Sequence, residues 1–120
     1  MTLFATDTYR MSHWLKDVGV DRRYVLEARD VTVVAGMRTG AVMTSAGVLC
    51  GVGDTGDFIV ADERVVNLAP GVHSLVCLVR GYAIVALQNM QYDTDVTTDA
   101  QRKAIVASMA DKFILTSDIL

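Results

Sequence analysis

Apolar residues fall in short runs separated by glycine, asparagine and one proline over most of this chain, and only near the end do they recur at helical spacing. Short runs rich in β-branched residues and bounded by turn residues read as strands. Residues 24–27 (Tyr-Val-Leu-Glu) and 31–34 (Val-Thr-Val-Val) lead to the turn Gly36-Met37-Arg38-Thr39-Gly40, and 41–44 (Ala-Val-Met-Thr) return, which predicts a hairpin with a wide loop. Further strands are predicted at 48–52, 58–61, 72–79 and 82–87. A helix is predicted over about 99–112. Thr98 stands three residues before Gln101, the capping-box spacing, and Asp99 puts negative charge at the positive end of the helix dipole. Ile105, Met109 and Phe113 repeat at intervals of four, an apolar stripe to lie on the sheet, with Lys103 and Lys112 toward solvent. Residues 113–116 read as a closing strand and 118–120 as a short tail. The pattern specifies a mainly β fold with one C-terminal α-helix, an α+β class.

Residues 1–28 lack this order. Phe4, Tyr9, Arg10, Trp14, Lys16 and Asp17 mix aromatic and charged side chains without sustained periodicity, so the stretch reads as an N-terminal arm, mobile alone, ahead of a β-rich body at 29–120. Two readings of the arm stand. Trp14, the only tryptophan, and Leu15 fold back onto the body as a lid or short helix; or Phe4, Tyr9, Met11, Trp14 and Leu15 anchor a partner, since aromatics are the usual hot spots of interfaces. On the second reading, removing residues 1–15 leaves the fold intact.

Composition narrows the function. With 120 residues, 52% hydrophobic and 21% charged, the chain fits one globular domain with a real core. A net charge of -3 without a basic cluster argues against nucleic acid as a direct partner. No segment approaches the roughly 18 uninterrupted apolar residues of a membrane span, and the N-terminus has no leader pattern, so the expected surroundings are cytosol-like solvent with no membrane partner.

Candidate chemistry is sparse. Gly51-Val52-Gly53-Asp54-Thr55-Gly56 fits the glycine spacing of a dinucleotide loop, but Asp57-Phe58-Ile59-Val60-Ala61 after it reads as a strand, and no Asp or Glu lies between Glu63 and Asp93 to take a ribose. The three glycines are expected to supply positive φ angles in a link between strands. Cys50 and Cys77 sit in apolar runs and read as reduced core thiols. With His13 and His73 far apart, no zinc-ligand spacing exists, and Ser74 beside His73 in a strand points to the opposite face. Asp54 with Asp57, and Asp93 with Asp95, lack the alternating ligands and distal Glu of a calcium loop. No catalytic residue, metal or cofactor is expected, and an enzyme is not.

Leu78-Val79-Arg80-Gly81-Tyr82-Ala83-Ile84-Val85, followed by a polar segment, an Ala-rich helix and a final Ile-Leu strand, resembles the head decoration proteins of lambda-like tailed phages. Arg29-Asp30-Val31-Thr32-Val33-Val34-Ala35-Gly36 with Thr39-Gly40-Ala41-Val42-Met43 is similar to that family's opening strand, Ala-Gly turn and return. The likeness covers about Arg29 to Leu115 and lies in order and spacing, not in a catalytic signature. Tyr82 stands where the family often has proline, and the stretch before Arg29 is longer than usual. The resemblance implies a small β-rich decoration fold with an extended N-terminal arm. It implies a structural protein, made in the host cytoplasm, that binds as a homotrimer to the outer surface of the expanded capsid of the virion and stabilises the head against packaged DNA. Its partner is the major capsid protein, reached by arm residues Phe4, Tyr9, Met11, Trp14 and Leu15 through β-augmentation. Apart from the resemblance, the same residues fit a cytosolic homo-oligomeric β-rich binding or scaffold module whose arm swaps onto a neighbour.

Overall fold

The computed structural model describes residues 11, 14–18 and 25–116. Its described elements are mainly β with one α-helix: β1 (Leu15–Val18), β2 (Leu26–Val33), β3 (Val42–Met43), β4 (Phe58–Val60), β5 (Gly71–Leu78), β6 (Ala83–Val85), α1 (Asp99–Ala107) and β7 (Ile114–Thr116), with 3₁₀ turns at Glu63–Asn67, Leu87–Asn89 and Ala110–Lys112. The strands form a four-stranded sheet ordered β2-β5-β4-β3 and a three-stranded sheet ordered β1-β6-β7.

The four-stranded sheet explains the apolar runs. Along β4, Ile59 enters one core with Trp14, Val42, Leu78, Val85, Ile105 and Met109, while Phe58 and Val60 enter a second with Val31, Met43, Leu75 and Cys77. A strand covered on both faces needs apolar side chains at every position, so alternation disappears there. Toward β2 and the start of β5 one face opens to solvent, and alternation returns.

The predicted hairpin does not form. Leu26, Glu27 and Val31 to Val33 from the two predicted runs belong to a single strand, β2, which pairs antiparallel with β5 from Leu26↔Leu78 to Val33↔Gly71, whereas β3 pairs with β4. Eight residues of β2 find eight in β5, and β3 offers only two. The 36–40 turn is drawn away from β2 by long-range bonds: Arg38 N–H donates to Gln91 Oε1, Gly40 N–H to Val60 O, and Gln91 N–H to Gly40 O. Nor is 48–52 a strand; it contacts β3 through one bridge, Met43↔Leu49, and turns at once. Strands near 58–61, 72–79, 82–87 and 113–116 are present.

The helix begins as predicted, with Thr98 Oγ1 accepting from Gln101 N–H and the Gln101 side chain accepting from Thr98 N–H. It ends earlier. Ser108 Oγ donates to Ile105 O and accepts from Gly56 N–H at 2.9 Å, and beyond it the chain tightens into the 3₁₀ turn Ala110–Lys112. Ile105 and Met109 are buried, but Phe113 falls off the stripe and is exposed, and Lys112 pairs with Asp57 at 3.2 Å.

Of the glycine loop, only Gly53 has a positive φ, +85°. Space is tight at the other two: a Cβ would lie 3.1 Å from the Asp95 carboxylate at Gly51, and 3.2 Å from Ile105 O and the Met109 thioether at Gly56.

Candidate interaction surface

The arm residues named above separate. Phe4 and Tyr9 lie outside the described residues. Met11 is half-buried against the core, its N–H donating to Glu63 Oε2 at 3.0 Å, and Leu15 is half-buried in β1 opposite Val85. Trp14 has no exposed surface; its indole N–H donates to Thr39 Oγ1 at 3.1 Å, and that hydroxyl donates to Val60 O. Trp14 is a core residue of the body, so the expectation that removing residues 1–15 leaves the fold intact is corrected.

A different set of apolar side chains faces outward. β6 and β7 run parallel with Ile84 opposite Leu115. Tyr82 and Phe113 stand just before these strands, two residues ahead of Ile84 and Leu115. Tyr82 is 55% exposed, Phe113 52% and Leu115 42%, and the two aromatic rings are 5.0 Å apart, tilted by 52°. Such pairs contribute about 0.5–1.5 kcal/mol to each other beyond burial, which holds both rings in place at the surface.

The backbone is specified for this display. Phe113 has φ 61° and ψ 31°, the left-handed region, where a bulky residue is strained by roughly 1–2 kcal/mol. Its carbonyl accepts from Ala83 N–H, and Gly81 N–H donates to Lys112 O at 2.7 Å. A Cβ at Gly81 would collide with Phe113 O, so the β6–β7 entry requires glycine at that position. The peptide bond from Gly81 to Tyr82 is cis.

Charged residues adjoin the cluster in sequence, Arg80 ahead of Tyr82 and Lys112 ahead of Phe113, and they join a chain of ion pairs. Arg80 binds Glu27 at 3.0 Å, Glu27 binds Arg29 at 2.9 Å, and Asp57 lies 3.8 Å from Arg29 and 3.2 Å from Lys112. Arg80 and Arg29 hold the Glu27 carboxyl below the usual carboxylate range. Exposed aromatics with an arginine close by in the chain have the composition of interface centres. The sequence pattern places Tyr82 in a strand, and the helical repeat assigns Phe113 to the interior.

The other candidate groups from the sequence are buried or bonded locally. Burial pushes the Cys50 and Cys77 thiols up to about 12, so neither is a nucleophile near neutral pH. His73 Nε2 meets Ala69 O at 2.8 Å. Asp54 accepts from Gly51 N–H, and Asp95 from Val52 N–H, closing the loop. Among the described residues no group of three or more His, Cys, Asp or Glu side chains converges to hold a metal, and no helix is long and apolar enough to cross a membrane. Comparison of the chain with protein-family models, curated proteins and solved structures yields no match.

Proposed function

We propose that this chain is a capsid decoration protein that assembles as a trimer on the outside of an expanded phage head and clamps the shell through the Tyr82, Phe113 and Leu115 face. The observation that carries the reading is an aromatic pair kept half-exposed at the entry to β6 and β7 at the cost of a strained backbone, within a stretch whose order of elements resembles that family. Strain of this kind persists where function requires it. Because Met11, Trp14 and Leu15 pack on the body, the shell contact is assigned to this face and not to those three side chains.

Magnitudes favour a multivalent clamp. Covering the exposed halves of two aromatics and part of a leucine removes roughly 275 Å² from water, about 7 kcal/mol at 25 cal/mol/Å². Association costs about 4–15 kcal/mol, so one face is marginal and three on one rigid trimer reinforce each other. A clamp that binds only the expanded lattice stabilises it by about 4 kcal/mol per site at 1,000 times its dissociation constant.

The test is addition of purified protein to expanded, undecorated heads. Stoichiometric addition, lost in a Tyr82→Ser/Phe113→Asn variant that stays fully folded at the assay temperature, is the expected result. Addition that survives the double substitution removes this face from the reading, and a wild-type protein that never adds to heads leaves the homo-oligomeric scaffold in its place.

A further inference from the structure

We propose that the groove between α1 and β7 is a strand-accepting site, and that its occupant is residues 1–10 of a second copy of this chain. β7 ends the β1-β6-β7 sheet, and its outer edge has no strand partner among the described residues. Beside that edge Lys103, Val106, Ala107 and Ala110 from the helical side, with Ile114, Leu115 and Thr116 from β7, line a groove of about 340 Å³. That volume is within the range of ligand sites. The hydroxyl oxygen of Thr116, in the groove wall, is buried and without a hydrogen-bond partner. A buried polar atom left unpaired costs about 1–3 kcal/mol, so the site is incomplete as it stands. An open strand edge beside a helix is the geometry by which an extended peptide adds itself to a sheet. An incoming backbone would complete the β7 ladder and bring donors within reach of Thr116.

The occupant follows from the chain outside the described body. Met-Thr-Leu-Phe-Ala-Thr-Asp-Thr-Tyr-Arg is rich in threonine and aromatics and has no glycine or proline, a strand-forming composition. In an extended segment Leu3 and Ala5 share one face, suited to a groove floored by Val106, Ala107 and Ala110. Ten residues reach about 33 Å when extended, close to the molecule's own middle dimension of 32 Å. The neighbouring copy is chosen because of where the segment departs. Met11 is tied to Glu63, and the chain enters the three-stranded sheet at β1, the opposite edge from β7. Reaching its own groove means passing around β6 and β7, whereas a neighbour's groove needs no such path.

The experiment uses free protein and no heads, so its outcome is independent of the capsid reading. Chains carrying Leu3→Cys, Phe4→Cys or Ala5→Cys are each mixed with chains carrying Ala107→Cys, oxidised gently and resolved without reductant. Cys50 and Cys77 are buried and stay out of the reaction. The expected result is a mixed disulfide at one of the three positions, about tenfold or more above a Val48→Cys surface control, and lost when Ala110→Arg is added to the groove chain. A cross-link no stronger than the control, or one indifferent to Ala110→Arg, overturns the proposal. So does ring closure within a single chain bearing both cysteines at high dilution, which would mean that the segment fills its own groove.

Discussion

Trp14 ties the start of the described chain to the body, and a double-mutant cycle with Thr39 measures that tie. The indole N–H donates to Thr39 Oγ1 at 3.1 Å, and Val60 O receives both the Thr39 hydroxyl and Gly40 N–H, the latter at 2.7 Å. Thr39→Val leaves Val60 O paired but strands the indole donor in a buried site, a cost of about 1–3 kcal/mol. Trp14→Phe removes that donor and part of the ring, about 1–2 kcal/mol. In the double variant no donor is stranded, so its loss should fall short of the sum by about 1 kcal/mol, against about 0.3–0.5 kcal/mol for independent sites. Trp14→Ala should cost about 3–5 kcal/mol, or roughly 12–20 °C in melting temperature for a domain of this size. Truncation through Leu15 should cost at least as much, whereas truncation that stops at Arg10 keeps the anchor. Chemical denaturation gives the free energies, and because Trp14 is the only tryptophan its emission reports the site directly. Strict additivity, or native emission that is red-shifted and open to acrylamide, would refute the argument.

Gly40→Ala should destabilise more than Gly53→Ala. Both have positive φ, +95° and +85°, but a Cβ at Gly40 lies 2.7 Å from Trp14 Cδ1, whereas Gly53 has open space. Calorimetry should show about 1 kcal/mol for Gly53→Ala and a further 1–3 kcal/mol for Gly40→Ala. Asp62 is buried and bound by the Arg64 guanidinium at 2.6 Å, by Arg64 N–H and by Val76 N–H, which together hold its carboxyl below the usual range. Its stabilisation is complete above the unfolded value of about 3.9 and is lost as pH falls through the lower folded value. Acid melts should therefore show a steeper decline below about pH 4 for wild type than for Asp62→Asn; parallel curves would contradict the assignment. Phe113→Asn gives up the contact with Tyr82 but suits the left-handed backbone, so its stability should stay within about 1 kcal/mol of wild type. A larger loss in thermal melts would place Phe113 in the folding core and not on a display surface.

What could be read along the chain was what neighbours in sequence decide. The capping box at Thr98 and Gln101 needs only residues three apart, the β class follows from short β-branched runs bounded by turn residues, and two cysteines inside apolar runs are buried as thiols. Strand partnership is different, because a ladder joins residues far apart and either face of an apolar run can pair. β2 took β5 over the nearer β3 because only β5 matches its length, while bonds from Arg38 and Gly40 steer the intervening turn elsewhere. Trp14 reads as an arm residue because the strand it precedes is stabilised by β6 and the pocket it fills is closed by Gly40 and Thr39. Phe113 reads as buried only while the helix is assumed to continue; Ser108, bonded to Gly56 from a distant loop, ends it and turns the ring outward. Local preferences set which elements exist. The contacts that chose their partners, ended the helix and left one aromatic face uncovered are long-range, and only the folded chain brings those residues together.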